Sequence, residues 1–438
     1  MYKEAIQDAI SMHELPSKWR SEVLNEANHV AKKKKSAKYR KDLRKLPFAT
    51  IDGEDAKDFD DAVYCVKNSN GYKLYVAIAD VSFYVEPGSK LDKEAKKRGT
   101  SIYFPETVIP MLPENLSNGI CSLRPNEDRC SMICEMSIGL DGTRKKYKFY
   151  SGLINSKARL TYSQVEKYLQ TSANIKQAIV RESIKHLFDL TNIRLKLRNE
   201  RKALEINPKE AILQLSKNKE VTNIVIKKTL FAHKLVEESM LLANESAAEF
   251  MQERLDLGVY RIHEDPDPSK LETLKKHFKI PTQIAKKLSP LEVINRCLQE
   301  AHNKKDDTGQ ILVLQTLARA EYSTNNLGHF GLQLKQYSHF TSPIRRYPDL
   351  LVHRLINSSL AHKKPGIRQN ELQDECENSS MLERRAEKAS RQVEQVLICS
   401  YLKTKIGSTM DGVITGVTDF GLFINLEPYF ISGLLHVS

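Results

Sequence analysis

The chain has no Cys-x-x-Cys pair, although it holds seven cysteines. Cys130 and Cys134 are the nearest two, and no second pair or histidine cluster completes a zinc site beside them. An odd count at irregular spacing points to reduced thiols rather than a disulfide framework. No apolar run approaches the roughly 18 residues that a membrane-spanning helix needs. The first residues, Met1 to Ala5, lack the apolar core of a signal peptide. Together these features predict a cytoplasmic protein with no membrane partner. A phosphate-cradling P-loop and a glycine fingerprint for dinucleotides are also missing, so ATP-driven and nicotinamide chemistry find no support. No internal repeat of 20 to 50 residues is visible, which sets solenoids aside.

Basic residues, by contrast, are in excess. Lys plus Arg number 68 against 55 Asp plus Glu, a net charge of +13 over 438 residues. Such a balance suggests a polyanionic partner, nucleic acid before membrane. The length calls for two or three domains.

One window runs against this trend. Residues 52–61 hold six acids and one lysine, a local charge of −5. Asp52, Asp58, Asp60 and Asp61 stand there between two strand-like apolar runs, residues 46–51 and 62–66. Two like charges ~4 Å apart repel by roughly 4 kcal/mol at an effective dielectric of 20. Carboxylates pinned together therefore call for a shared proton, an arginine or a metal ion. Mg²⁺ suits best, with Mn²⁺ as the alternative, because hard cations take oxygen ligands and keep room for substrate phosphate. A solvated acidic loop is the simplest competitor, and the apolar flanks argue against it. A calcium-binding EF-hand is another, but no register supplies Gly at position 6 and Glu at position 12.

The rest of the chain divides by pattern. Residues 1–45 read as helix followed by a basic linker, from Lys32 to Lys35 and on through Lys38, Arg40, Lys41, Arg44 and Lys45. That run is a solvated linker or, alternatively, a phosphate-attracting rim beside the acidic site. Residues 46–155 read as strand and loop, and 160–400 as mainly helical, which makes 46–400 an α+β catalytic body. A long helix over 229–255 puts Glu237, Leu241 and Asn244 on one side. Ser342 and Pro343 predict a helix start that places Arg345 and Arg346 in its first turn, where anions are favoured. Only one of the two arginines should reach a site, since they point apart. From Gly407 the pattern changes to short strands and glycine turns, the beginning of a small OB-type barrel over 407–438. Tyr103 and Tyr162 are candidate stacking faces for bases.

Several long motifs occur in order. They are TIDGEDAKDFDDAV at 50–63, NLSNGICSL at 115–123, VEESMLLAN at 236–244, RIHEDP at 261–266, GHFGL at 328–332 and HFTSPIRRYPD at 339–349. This set resembles the ribonuclease II and ribonuclease R exoribonucleases, with the wording GEDA closer to the latter. The resemblance implies an RNB-type fold and a processive, metal-dependent 3′-to-5′ hydrolase. Its substrate would be single-stranded RNA and its products 5′-mononucleotides, made by a monomer.

By position, the resemblance makes Asp52, Asp58, Asp60 and Asp61 the metal and catalytic carboxylates, and Arg345 the phosphate-stabilising arginine. It puts Tyr103 near the 3′-terminal nucleotide, and Tyr162 at the ribose with Glu237 or Glu238. Arg346, Phe420, Phe423 and His436 are further RNA-binding candidates, the last three on a tail similar to the barrel named after ribosomal protein S1. Three departures stand out. No cold-shock-type barrels precede the body, the tail barrel is incomplete, and Leu213 and Leu215 stand where the family tends to place a stacking aromatic. The first two suggest truncation at both ends. The rival readings are an RNA-binding regulator without catalysis and a non-functional fragment.

Overall fold

The computed structural model describes residues 1–33, 39–172, 175–206, 209–427 and 429–438. Lys34, Lys35 and Lys38 of the basic run lie outside the described residues. The body is built on a seven-stranded mixed sheet. Its order is Lys41–Asp42, Arg144–Asn155, Asp128–Ile138, Gly71–Ala79, Asp61–Asn68, Ala49–Asp52, Ala158–Thr161. The inner pairs are antiparallel, and the pair at each edge is parallel. Asn68 pairs with Gly71 at one hairpin end, where Gly71 takes a positive φ of 136°. A Cβ at that position would collide with the Ile138 carbonyl, so only glycine lets the next strand pack so closely.

The central strand Gly71–Ala79 is apolar along most of its length and buried on both faces at Leu74 and Val76 to Ala79. Helices cover it. Phe231–Arg254 packs on this strand, and Ala178–Glu200 packs on Asp61–Asn68. The first of these is 24 residues long and buried over most of its circumference. Its core positions are Leu, Ala, Met and Phe, with Glu238 and Asn244 buried among them. Helix Tyr347–Leu360 lies against it in turn.

The helical start of the chain forms two packed helices. Tyr2–Met12 docks on the long helix Gln369–Lys403 through Ala5 and Ala9. Ser21–Ala31 contributes Val23 and Ala27 to the main core. In the basic stretch after them, the two arginines are engaged in ion pairs. Arg40 is buried against Asp80 at 2.6 Å, and Arg44 bonds Asp42 and Asp128.

The mainly helical half holds two strand pairs as well, Ala211–Leu215 with Val221–Ile226 and Tyr260–Ile262 with Glu321–Ser323. Leu213 turns towards the cluster formed by the N-terminal helix and Gln369–Lys403.

The tail is a three-stranded antiparallel sheet of Gly412–Thr418, Gly421–Leu426 and Ile431–His436. Val417, Phe420, Phe423 and Leu435 are exposed on it. Unpaired strand edges beside exposed apolar side chains favour chain-to-chain association. Removal of residues 407–438 is therefore expected to lower light scattering at high protein concentration. Equal scattering by both proteins would show that the tail does not drive association.

Candidate active site

The acidic window folds as the return between two neighbouring strands. Ala49–Asp52 carries Asp52 at its end, and Asp61 begins the adjacent strand Asp61–Asn68. The connecting segment is stitched down. The Phe59 N–H donates to Ser122 Oγ at 3.0 Å, and Ser122 Oγ–H donates to the Lys57 carbonyl at 2.7 Å. Leu123 N–H donates to the Phe59 carbonyl, and Ala79 N–H to the Asp60 carbonyl. Phe59 itself is buried. These bonds fix the carboxylates rather than leaving them on a mobile loop.

Parallel pairing aligns Asp52 with Thr161, so Tyr162 follows directly beside it. Thr161 caps the helix Tyr162–Thr171, accepting from Gln164 N–H at 3.1 Å. The Tyr162 ring is stacked on His233 at 4.1 Å. Tyr103 lies on the short strand Ile102–Phe104 and is 43% exposed.

Residues 342–346 differ from the expected helix. They form a turn in which Arg346 N–H donates to the Ser342 carbonyl, and the helix begins at Tyr347. Pairing with a distant segment prevents helix here. Ser101 N–H donates to the Arg345 carbonyl, and Tyr347 N–H to the Gly99 carbonyl. The two arginines part company as a result. Arg346 Nη2 donates to the fully buried Asp349 at 2.8 Å. Arg345 Nε stands 3.6 Å from Asp60 Oδ2, with the side chain 45% exposed. Asp60 is further tied by Ile344 N–H, which donates to Oδ1 at 2.8 Å.

All these groups meet in a cleft of about 650 Å³. Asp52, Asp58, Asp60, Asp61, Tyr103, Tyr162, Glu237, Arg345 and Arg346 line it. Glu238 does not. It is buried beneath the helix and paired with Arg194 and Arg198. Phe420, Phe423 and His436 are exposed on the tail sheet and take no part in the cleft. Asn244 lines the cleft but is also a clamp, donating to Tyr337 Oη at 3.1 Å and accepting from Phe340 N–H at 2.8 Å. Tyr337 and His339 line the cleft without having been singled out as site residues. His339 opens the motif at 339–349 and Tyr337 stands two residues before it, but aromatic rings at that spacing read equally well as core.

Burial raises the pKa of all four aspartates, and their mutual repulsion adds to it at Asp52, Asp60 and Asp61. Arg345 opposes the rise at each. One arginine among four desolvated carboxylates leaves the donor set short of positive charge, which a hard divalent cation would supply. Among the described residues no three such groups stand ready as a closed cage for an ion. Mg²⁺ does not require one, because it is commonly held by one or two carboxylates with water and substrate phosphate completing its shell.

A folded-state pKa above the unfolded value of about 3.9 means the native protein binds protons more tightly. The site's contribution to stability is therefore favourable at low pH and is lost as pH rises towards neutrality. Mg²⁺ is expected to raise the melting temperature more at pH 7.5 than at pH 5. An equal effect at both values, measured by calorimetry, would remove the aspartates as its binding site.

Residues 40–362 match the RNB domain family. The chain is 39% identical to the ribonuclease R of Vibrio cholerae over 454 residues, covering 99% of this chain and 55% of that protein. It thus spans about half the length of this curated relative. The apo form of Mycoplasma genitalium RNase R superposes with a TM-score of 0.92 at 32% identity, over 100% of this chain and 70% of that one. The same protein in complex with ribose methylated single-stranded RNA matches equally well, at 0.92 and 31%, with the same shares covered. No helix among the described residues is long and apolar enough to cross a membrane. From the match over residues 40–362 and the architecture around the cleft, the chain belongs to the RNB domain family.

Proposed function

We propose that the chain is a hydrolytic 3′-to-5′ exoribonuclease that degrades single-stranded RNA processively to 5′-mononucleotides. The observation that carries this reading is the cleft itself, where the buried Asp60 and the half-buried Asp52, Asp58 and Asp61 face Arg345 beside Tyr103, Tyr162 and Glu237 in a chain of charge +13.

In this reading Asp52, Asp58, Asp60 and Asp61 hold divalent metal, Mg²⁺ or Mn²⁺. When bound, the metal supplies charge for the phosphate and a more acidic water. Water adds to the phosphorus between the last two nucleotides as the P–O3′ bond breaks. The shortened strand keeps a 3′-hydroxyl, and the freed nucleotide keeps the phosphate. Arg345, whose guanidinium reaches into the cleft past Asp60, balances charge spreading over the phosphate oxygens. Tyr103 packs against the 3′-terminal nucleotide. In this reading the enzyme works as a monomer. The work is assigned to the cytoplasm.

The test is 5′-labelled single-stranded RNA incubated with Mg²⁺ and then with EDTA. A ladder shrinking from the 3′ end, stopped by the chelator, is expected. Binding without products would favour the rival reading of an RNA-binding regulator.

Tyr162 and Glu237 flank the place where a ribose would lie, and a 2′-hydroxyl offers them both a donor and an acceptor. Single-stranded DNA is expected to bind but scarcely be degraded. Combined Tyr162→Ala and Glu237→Ala substitution should narrow the RNA-to-DNA rate ratio by about 10-fold or more. An unchanged ratio would place sugar recognition elsewhere.

A further inference from the structure

A second cavity of about 510 Å³ adjoins the acidic cleft. Glu237 lines both. On the far side of Glu237, Arg198 lines the second cavity and donates from Nη1 to Glu237 at 2.7 Å and to the buried Glu238 at 3.2 Å. The Arg198–Glu237 ion pair is thus the partition between the two spaces.

We propose that this second cavity is the way out for the product, a nucleoside 5′-monophosphate. The proposal rests on the exoribonuclease reading above. A processive enzyme keeps its polymer in the cleft between cuts, so the freed nucleotide is blocked behind by the strand. It needs a side route, and the wall at Glu237 borders one.

The cavity's size falls within the roughly 300–1,000 Å³ of small-molecule pockets. Its walls suit a nucleotide. Arg198 and Lys234 line it, and a phosphate would compete for them with Glu237 and with Glu205, which Lys234 meets at 3.0 Å. The rings of His263 and His329, edge to face at 4.9 Å, give it an aromatic lining for a base. Each histidine accepts a backbone N–H at Nδ1, from Gly331 and Leu332 respectively, which leaves its proton on Nε2. Burial keeps both rings neutral, so they add no charge. Glu237 and Glu205 match the two cations in number. A phosphate is therefore guided along the wall but meets no net positive field that would retain it.

The test plugs the cavity without touching the cleft. Leu195 lines the second cavity only. For Leu195→Trp, single-turnover removal of the first 3′ nucleotide should stay within about twofold of wild type. Steady-state degradation of a long 5′-labelled RNA should fall at least about tenfold, because release becomes limiting. Should Leu195→Trp fail to fold by circular dichroism, Lys234→Glu carries the test, with a smaller fall of about threefold or more in the steady-state rate alone. If the folded variant keeps the wild-type ratio of steady-state to single-turnover rates, the cavity is not on the product's path. Absence of cleavage by the wild-type chain is a separate failure, which removes the enzymatic reading and the exit route with it.

Discussion

Asp60→Asn is expected to lower single-turnover cleavage by about 10³-fold or more while RNA affinity stays within a few-fold of wild type. Asparagine preserves the bond from Ile344 N–H, because its Oδ1 still accepts. The turn that presents Arg345 should therefore survive. What is lost is one negative charge at the centre of the cleft, and with it a ligand for metal. Burial is the chief cause of the raised Asp60 pKa, so the neutral side chain should also make the metal-free protein more stable at neutral pH. An inactive but more stable variant separates a catalytic role from a structural one. A variant retaining half the wild-type rate would sink the assignment.

The second large effect concerns two adjacent arginines that should fail in different ways. Arg345→Ala should reduce cleavage by about 10²–10³-fold, the usual loss on removing a charge-stabilising donor, with little change in melting temperature. Arg345→Lys should recover only part of it, because an ammonium cannot present the planar fork. Arg346→Ala should instead destabilise the fold, by about 3–5 kcal/mol, because Asp349 would be left buried with its cationic partner gone. Ser342 N–H, which donates to Asp349 Oδ1 at 2.8 Å, would remain. Thermal melts and single-turnover rates on the same two variants decide it. If Arg346→Ala folds normally and loses activity while Arg345→Ala does not, the roles are exchanged.

The acidic site was legible because it is local. Asp52 to Asp61 lie within ten residues, between runs that read as strands, and adjacent strands bring the ends of such a window together. Helical phase was equally informative at Glu237, which shares a side with Asn244 and faces the cleft while Glu238 faces the core. The turn at 342–346 was not legible. Ser342 and Pro343 carry the composition of a helix start, but the backbone there pairs with Gly99 and Ser101. A partner some 240 residues away leaves no mark on local propensity. Leu213 is a similar case. Its place near an expected stacking residue gives no hint that it packs towards the N-terminal helix.

The bond from Ile344 to Asp60 joins residues 284 positions apart. Ribosomes add roughly 5–20 residues per second. Asp60 therefore emerges some tens of seconds before the segment that anchors it and the arginine that faces it. For all that time the carboxylates stand without the backbone anchor and the arginine that complete the cleft. Order of synthesis thus sets when the cleft is assembled, with its aspartates made early and Arg345 late.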